Sequence, residues 1–185
     1  MTHPQVVSRY IATEVELHRI ARIGPSSSAS HLDIQISPLG VVPKKGRADQ
    51  WRMIMDLSSP NGESVNDGIS KEISSCQYTS VMVAAQRVLK VGKGALLAKM
   101  DIKQAYRNIS VAPEDRHLLG FQWDDHIYVD LRLPFGLRSA HFIFSSVADA
   151  LLWIMQKNGV TWGIHYLDDF LTIGSSQSHE CHSNV

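Results

Sequence analysis

The sequence predicts an α+β fold in which antiparallel hairpins pack against amphipathic helices. Two stretches, residues 79–91 and 139–156, repeat apolar residues at helical spacing. Residues 161–167 and 170–173 are β-rich runs separated only by Asp168-Asp169, the spacing of a tight hairpin. Further paired β-rich runs lie at 34–57 and 121–133, an order that favours antiparallel pairing over alternating βαβ units.

Taken in order, residues 4–23 carry Val6, Val7, Tyr10, Ile11, Val15, Leu17 and Ile20 at a helical period that stops at Gly24-Pro25, so a helix is expected there. A serine-rich loop follows over 24–30. Residues 34–43 read as a short strand interrupted by Pro38 and Gly40, which suits a sheet edge. Residues 51–57 read as its partner, across a basic turn at 44–50. After turn-rich residues 58–67, the helix at 79–91 has Thr79 as expected N-cap, Val81, Met82, Ala85, Val88 and Leu89 as its apolar face, and a glycine-ended cationic C-terminus. An apolar strand at 95–100 delivers Asp101. A hairpin turning through Asp124-Asp125-His126 and a loop at 133–137 precede the helix from Ser139, with Phe144, Val147, Ala148, Leu151, Leu152 and Met155 on one face.

Composition narrows the function. The 185 residues balance 18 Lys+Arg against 18 Asp+Glu, with 44% hydrophobic residues. At this length a chain can bury roughly 70% of its unfolded surface, enough for a core without disulfides. Cys76 and Cys181 form neither a disulfide framework nor a zinc pattern, which points to an intracellular, cytoplasmic or nuclear setting. No run approaches the ~18 apolar residues of a membrane span, and no basic-plus-apolar leader opens the chain, so neither membrane association nor secretion is expected. Zero net charge says nothing about nucleic acid, because local clusters bind phosphate.

Four features could carry chemistry. Asp168-Asp169 at a hairpin tip and Asp101 at a strand end present three carboxylates, hard oxygen donors suited to Mg²⁺ alongside water and phosphate. Aspartate is also favoured in turns for local hydrogen bonding, so the pair alone decides nothing. From five tyrosines and twelve aspartates, however, Tyr-x-Asp-Asp is expected only ~0.02 times by chance. Lys44, Lys45, Arg47 and Arg52 cluster around the first hairpin with only Asp49 opposing them, either a solvated tip or a grip for a triphosphate. Tyr106, five residues after Asp101, could underlie a sugar or simply pack. In Leu133-Pro134-Phe135-Gly136-Leu137 the glycine lets backbone approach a ligand, and the aromatic could stack on a base; a plain turn would read the same way.

Together, in this order, these features resemble the reverse transcriptase domain of retroelements. Tyr166-Leu167-Asp168-Asp169 is similar to that family's signature, residues 101–106 to its first carboxylate motif, and 133–137 to the loop between them. Pro43-Lys44-Lys45 through Trp51-Arg52-Met53-Ile54-Met55-Asp56-Leu57 resembles its fingers motif. Residues 34–40, 58–60 and 64–68 resemble long-terminal-repeat or tyrosine-recombinase (DIRS-like) retrotransposons more than retroviruses. The likeness covers about residues 20–185.

The resemblance implies a right-hand polymerase of fingers and palm: an N-terminal helix and loop at 1–30, fingers at 31–77 and 109–139, and palm at 78–108 and 140–185, with an antiparallel palm sheet and packed helices. It implies RNA-directed DNA polymerase activity, a nucleotidyl transfer with two Mg²⁺ ions, or Mn²⁺ in their place, on Asp101, Asp168 and Asp169. Lys45 and Arg52 match residues that hold the incoming triphosphate. Tyr106 matches a gate that stacks beneath deoxyribose, and Phe135 and Gly136 match the loop beside the nucleotide. Asn66 is a further candidate near the templating base. The implied partners are an RNA or DNA template with its primer, a deoxynucleoside triphosphate, and downstream polyprotein domains: a thumb and an RNase H, integrase or recombinase. A primer grip and thumb would not fit into residues 175–185, so a thumb-less fragment is expected. Two alternatives remain: a truncated, non-catalytic remnant that binds nucleic acid, and another metal-dependent phosphotransferase or nuclease on a palm-like sheet.

Overall fold

The computed structural model describes residues 3–27, 33–46, 50–72 and 74–177. It is α+β, with three antiparallel sheets and three α-helices among those residues. The chain divides into two compact units, residues 1–74 with 106–140 and residues 75–105 with 141–185.

The first unit opens with α1 (Pro4–Glu16), started by Pro4 in the first helical turn, where a missing N–H is harmless. Contrary to expectation the helix does not reach residue 23. His18 takes φ 54°, and Ile20–Pro25 is a strand, β1. It pairs antiparallel with β6 (His126–Asp130), which pairs in turn with β5 (Gly120–Trp123). The β5–β6 turn is the two residues Asp124-Asp125, both at positive φ, and His126 already lies in the ladder. A second sheet joins β2 (Leu39–Pro43) to β3 (Trp51–Met55); Ile36 makes only an isolated bridge, to Gly120. Val7 and Ile11 of α1 pack with Ile20, Met55, Leu57, Leu119 and Phe121 into this unit's core. Each such buried side chain contributes roughly 1.5–3 kcal/mol.

In the second unit, β4 (Leu96–Asp101), β7 (Trp162–Tyr166) and β8 (Asp169–Gly174) form a sheet in the order β4-β8-β7. Its core gathers Phe144 and Ala148 from α3 (Ala140–Lys157) with Val160, Phe170, Thr172 and Ile173. Val147 and Leu151, expected on the buried face, are exposed. The helix α2 (Val81–Val91) begins one residue after Ser80 rather than Thr79, and Ser80 makes no side-chain cap. Its expected apolar face is turned out: Val81, Met82 and Leu89 are exposed, while Val83, Ala84, Arg87, Val88 and Val91 are half-buried. Arg87 donates to the carbonyl of Gly163, which fixes this rotation.

Candidate active site

Register brings three aspartates to one end of the second unit's sheet. Asp101 is the last residue of β4 and stands directly opposite Asp169, the first of β8. Directly opposed residues share a face. The tight turn is Leu167-Asp168 rather than Asp168-Asp169, since Tyr166 pairs with Asp169. Leu167 takes φ 53°, a conformation costly for a branched side chain. The Ile102 N–H donates to the Asp168 carbonyl at 3.0 Å, which ties the tip of the hairpin to the end of β4.

Lys99, which sequence reasoning passed over, joins this cluster. Two residues before Asp101 on the same face, it places Nζ 3.0 Å from Asp169 Oδ1. The Asp169 hydrogen bond and charge hold its ammonium above the usual lysine range, with Asp101 and Asp168 adding to the field. Among the described residues no three His, Cys, Asp or Glu side chains converge as a ready-made metal cage. Magnesium does not require one, because it binds through one or two carboxylates with waters and substrate phosphates completing the shell. The hard-oxygen donor set, and the cation already drawn to Asp169, fit such an ion.

Other aromatic and polar groups surround the hairpin. Tyr78 lies 5.0 Å from the Tyr166 ring, and burial raises its pKa. His165 bonds Asp149 through Nε2 at 2.9 Å and stacks on Phe170, the packing of a strand residue.

The remaining predicted residues belong to the first unit. Lys45 is exposed at the β2–β3 tip, closed by Lys44 N–H donating to the Gln50 carbonyl at 2.7 Å, and Arg52 is exposed on β3 opposite Val42. Arg47 and Asp49 lie outside the described residues, as do His179, Cys181 and His182 in the polar tail. Tyr106 and Phe135 are brought together, ring centroids 4.9 Å apart and tilted by 59°. Gly136 follows at φ 96°, backbone that only glycine adopts without strain.

Asn66 organises that loop from beneath. It is buried, and its Nδ2 donates to Ser58 Oγ (2.8 Å) and the Gly136 carbonyl (2.9 Å) while Oδ1 accepts from Arg138 N–H (2.7 Å). Its amide is thus engaged internally. Arg138 in turn donates to the Ile69 carbonyl at 2.7 Å.

A buried ionic cluster adjoins Tyr106 and has no signature in the sequence. Arg107 donates through Nε and Nη2 to Glu14 Oε2 (3.0 and 2.7 Å) and through Nη1 to both oxygens of Asp130 (2.7 and 2.6 Å). Burial raises the Asp130 pKa against the pull of Arg107. Burial also works to lower that of Arg107, but the charge and hydrogen bonds of Asp130, with Tyr10 and Glu14, hold it above its ordinary value.

Residues 42–185 match the family of reverse transcriptases (RNA-dependent DNA polymerases). The chain is 29% identical over 179 residues to the retrovirus-related Pol polyprotein from transposon gypsy of Drosophila melanogaster, covering 93% of this chain and 15% of that protein. It is 26% identical over 145 residues to the transposon Tf2-3 polyprotein of Schizosaccharomyces pombe, covering 78% and 10%. The chain therefore spans a small part of the curated relatives it matches. Its fold is similar to a foamy viral protease-reverse transcriptase in complex with double-stranded DNA, with TM-score 0.66 and 15% identity over 92% of this chain and 26% of that one. A mutant prototype foamy virus protease-reverse transcriptase gives TM-score 0.66 and 17% identity over 94% and 20%.

Proposed function

Since the chain belongs to the reverse transcriptase (RNA-dependent DNA polymerase) family, we propose that it is the polymerising part of a retrotransposon polyprotein and copies an RNA or DNA template into DNA from a primer. The observation that carries this reading is the register of β4 on β8, with Asp101 opposite Asp169 and Asp168 at the adjoining turn. The reaction is attack of a primer 3′-hydroxyl on the α-phosphorus of a deoxynucleoside triphosphate. A P–O bond forms to the primer, the α–β bridge breaks, and pyrophosphate leaves with the electron pair.

Asp101 and Asp168, with Asp169 beside them, would hold two magnesium ions, or manganese in their place. When bound, such ions neutralise charge on the reacting phosphoryl oxygens and ease loss of the hydroxyl proton. Lys45 and Arg52 bind the triphosphate, the ammonium as a point charge and the guanidinium as a fork. Tyr106 underlies the sugar and excludes a 2′-hydroxyl, while Phe135 and Gly136 border the nucleotide. In this reading the first unit is fingers and the second palm. The unit boundaries fall at 74/75, 105/106 and 140/141, within three residues of the sequence-assigned 77/78, 108/109 and 139/140, and the N-terminal helix and β1 lie in the first unit. Thumb, RNase H and integrase or recombinase functions belong to other parts of the polyprotein. Its site of action is the cytoplasm or nucleus; among the described residues no helix is long and apolar enough to cross a membrane.

The test is extension of a DNA primer on an RNA template at low salt with Mg²⁺, comparing the chain with Asp168→Asn. Incorporation of deoxynucleotide that the variant loses, with its fold retained by circular dichroism, is expected. Template-primer binding without incorporation by either protein would favour the non-catalytic remnant, and cleavage of a labelled strand without nucleotide would favour a nuclease.

A further inference from the structure

Arg107 is the residue after Tyr106, and both lie in the short 3-10 turn Ala105–Asn108. Such a turn has too few internal hydrogen bonds to fix its own orientation. Its anchor is the Arg107 guanidinium, 4% exposed, which is held from two directions. Glu14 reaches it from α1, and Asp130 from the end of β6. Both carboxylates are themselves tethered, Glu14 by Arg19 at 3.6 Å and Asp130 by the Arg132 N–H at 3.1 Å.

Two buried carboxylates and one guanidinium are an expensive way to obtain stability, since apolar side chains of the same volume commonly do as well or better. What the cluster provides that apolar packing does not is direction. Both Asp130 oxygens accept from Nη1 while Nε and Nη2 donate to one Glu14 oxygen, so the guanidinium is held along two edges, and with it the backbone carrying the neighbouring ring. On the other side Phe135 meets Tyr106 at 4.9 Å from a loop fastened by Asn66. Phe135, Pro134, Arg107, Asp130 and Tyr10 line one cavity, so Phe135, the ring partner of Tyr106, shares a wall with Arg107 and Asp130. Glu14 lies before residue 42, outside the stretch that matches the family.

We propose that Glu14 and Asp130, acting through Arg107, are positioning residues for Tyr106 and so set discrimination between deoxy- and ribonucleotides. The inference rests on the reading of Tyr106 as the surface beneath the nucleotide sugar. Glu14→Gln keeps the shape and one acceptor while removing the charge; Arg107→Met removes the grip; Arg107→Lys restores charge without the fork.

The experiment measures affinities for dATP and ATP with Mg²⁺ and primer-template, by competition against a fluorescent deoxynucleotide, alongside thermal unfolding of each protein. The parent chain should prefer dATP. Glu14→Gln and Arg107→Met should lower that preference roughly ten- to a hundredfold, chiefly by admitting ATP, with Arg107→Lys intermediate. A purely structural cluster would lower stability, or weaken both nucleotides equally, and leave the ratio unchanged; that result overturns the inference. Should Arg107→Met not fold, Glu14→Gln decides by the same criterion. A parent chain with no deoxynucleotide preference overturns the inference as well, whereas failure of the polymerase reading is seen separately, as absence of primer extension by the parent.

Discussion

Asn66 shows how much one buried amide can organise. Three hydrogen bonds of 2.7–2.9 Å join it to Ser58, Gly136 and Arg138, so truncation would orphan a carbonyl and an N–H at the loop that carries Phe135. Leaving buried partners unsatisfied costs about 1–3 kcal/mol each. Asn66→Ala should therefore lower stability in urea by about 2–4 kcal/mol, and Asn66→Asp by at least as much, because a buried carboxylate oxygen would face the Gly136 carbonyl oxygen where Nδ2 now donates. Equal stability of parent and Asn66→Ala would refute the brace. Lys99 makes the opposite kind of contact. It is exposed, and solvent screens an exposed pair until little net stabilisation is left, so Lys99→Met should leave the melting temperature almost unchanged. Its ammonium does, however, occupy the field of three carboxylates. Manganese affinity, measured by titration calorimetry at fixed pH and salt, should rise severalfold in Lys99→Met; an unchanged affinity would mean that the lysine does not compete for Asp169. The three carboxylates were legible as a motif, because tyrosine and paired aspartates at that spacing are rare by chance. Lys99 was not, because its proximity arises from the alternation of β4 and its register on β8.

Among the elements, α3 and the three hairpins β2–β3, β5–β6 and β7–β8 were readable from sequence, since an eighteen-residue helix and paired β-rich runs each give many repeats of one period. The stretch from Ile20 to Pro25 was not. Ile20 continues the helical spacing of the preceding residues, and only the ladder to β6 makes it a strand. Turn positions were similarly underdetermined. Two aspartates look like turn residues wherever they occur, yet in the second unit the register moves the turn back to Leu167-Asp168, while in the β5–β6 hairpin it leaves Asp124-Asp125 in place. That second turn supplies a clean test. Both its residues take positive φ, 45° and 54°, the geometry of a type I′ turn, for which glycine at the second position is strongly favoured. Asp125→Gly should stabilise the chain by about 0.5–1 kcal/mol, the gain from relieved left-handed backbone exceeding the added chain entropy; equal or lower stability in denaturant titration would count against that geometry. Gly120 tests packing at the start of the same hairpin. A Cβ there would come within 2.8 Å of the Gln35 carbonyl and 2.3 Å of the Ile34 side chain, so Gly120→Ala should destabilise by about 1–3 kcal/mol in the same titration.

For the molecule as a whole, what sequence reading cannot recover is the buried ionic cluster, whose partners Glu14 and Arg107 are 93 residues apart. The neighbouring Tyr10 nevertheless marks the pH dependence of folding. Burial pushes the Tyr10 phenol from 10.0 up to about 12; the Arg107 charge works to lower it, and Glu14 and Asp130 raise it further. A phenol whose pKa is higher in the folded chain than in the unfolded one favours folding while it is protonated in both states. That contribution is fully present below pH 10 and is lost as pH rises from about 10 through about 12. A rise of that size corresponds to about 2–3 kcal/mol, so the unfolding free energy should fall by that order across the interval. Tyr10→Phe has no proton to lose, and its stability should stay flatter over the same range while matching the parent more closely near neutrality. Denaturant unfolding of both proteins at steps between pH 8 and pH 12 reads the difference directly. If parent and Tyr10→Phe lose stability in parallel, the phenol is not withdrawn from water in the fold, and the burial that raises its pKa is refuted.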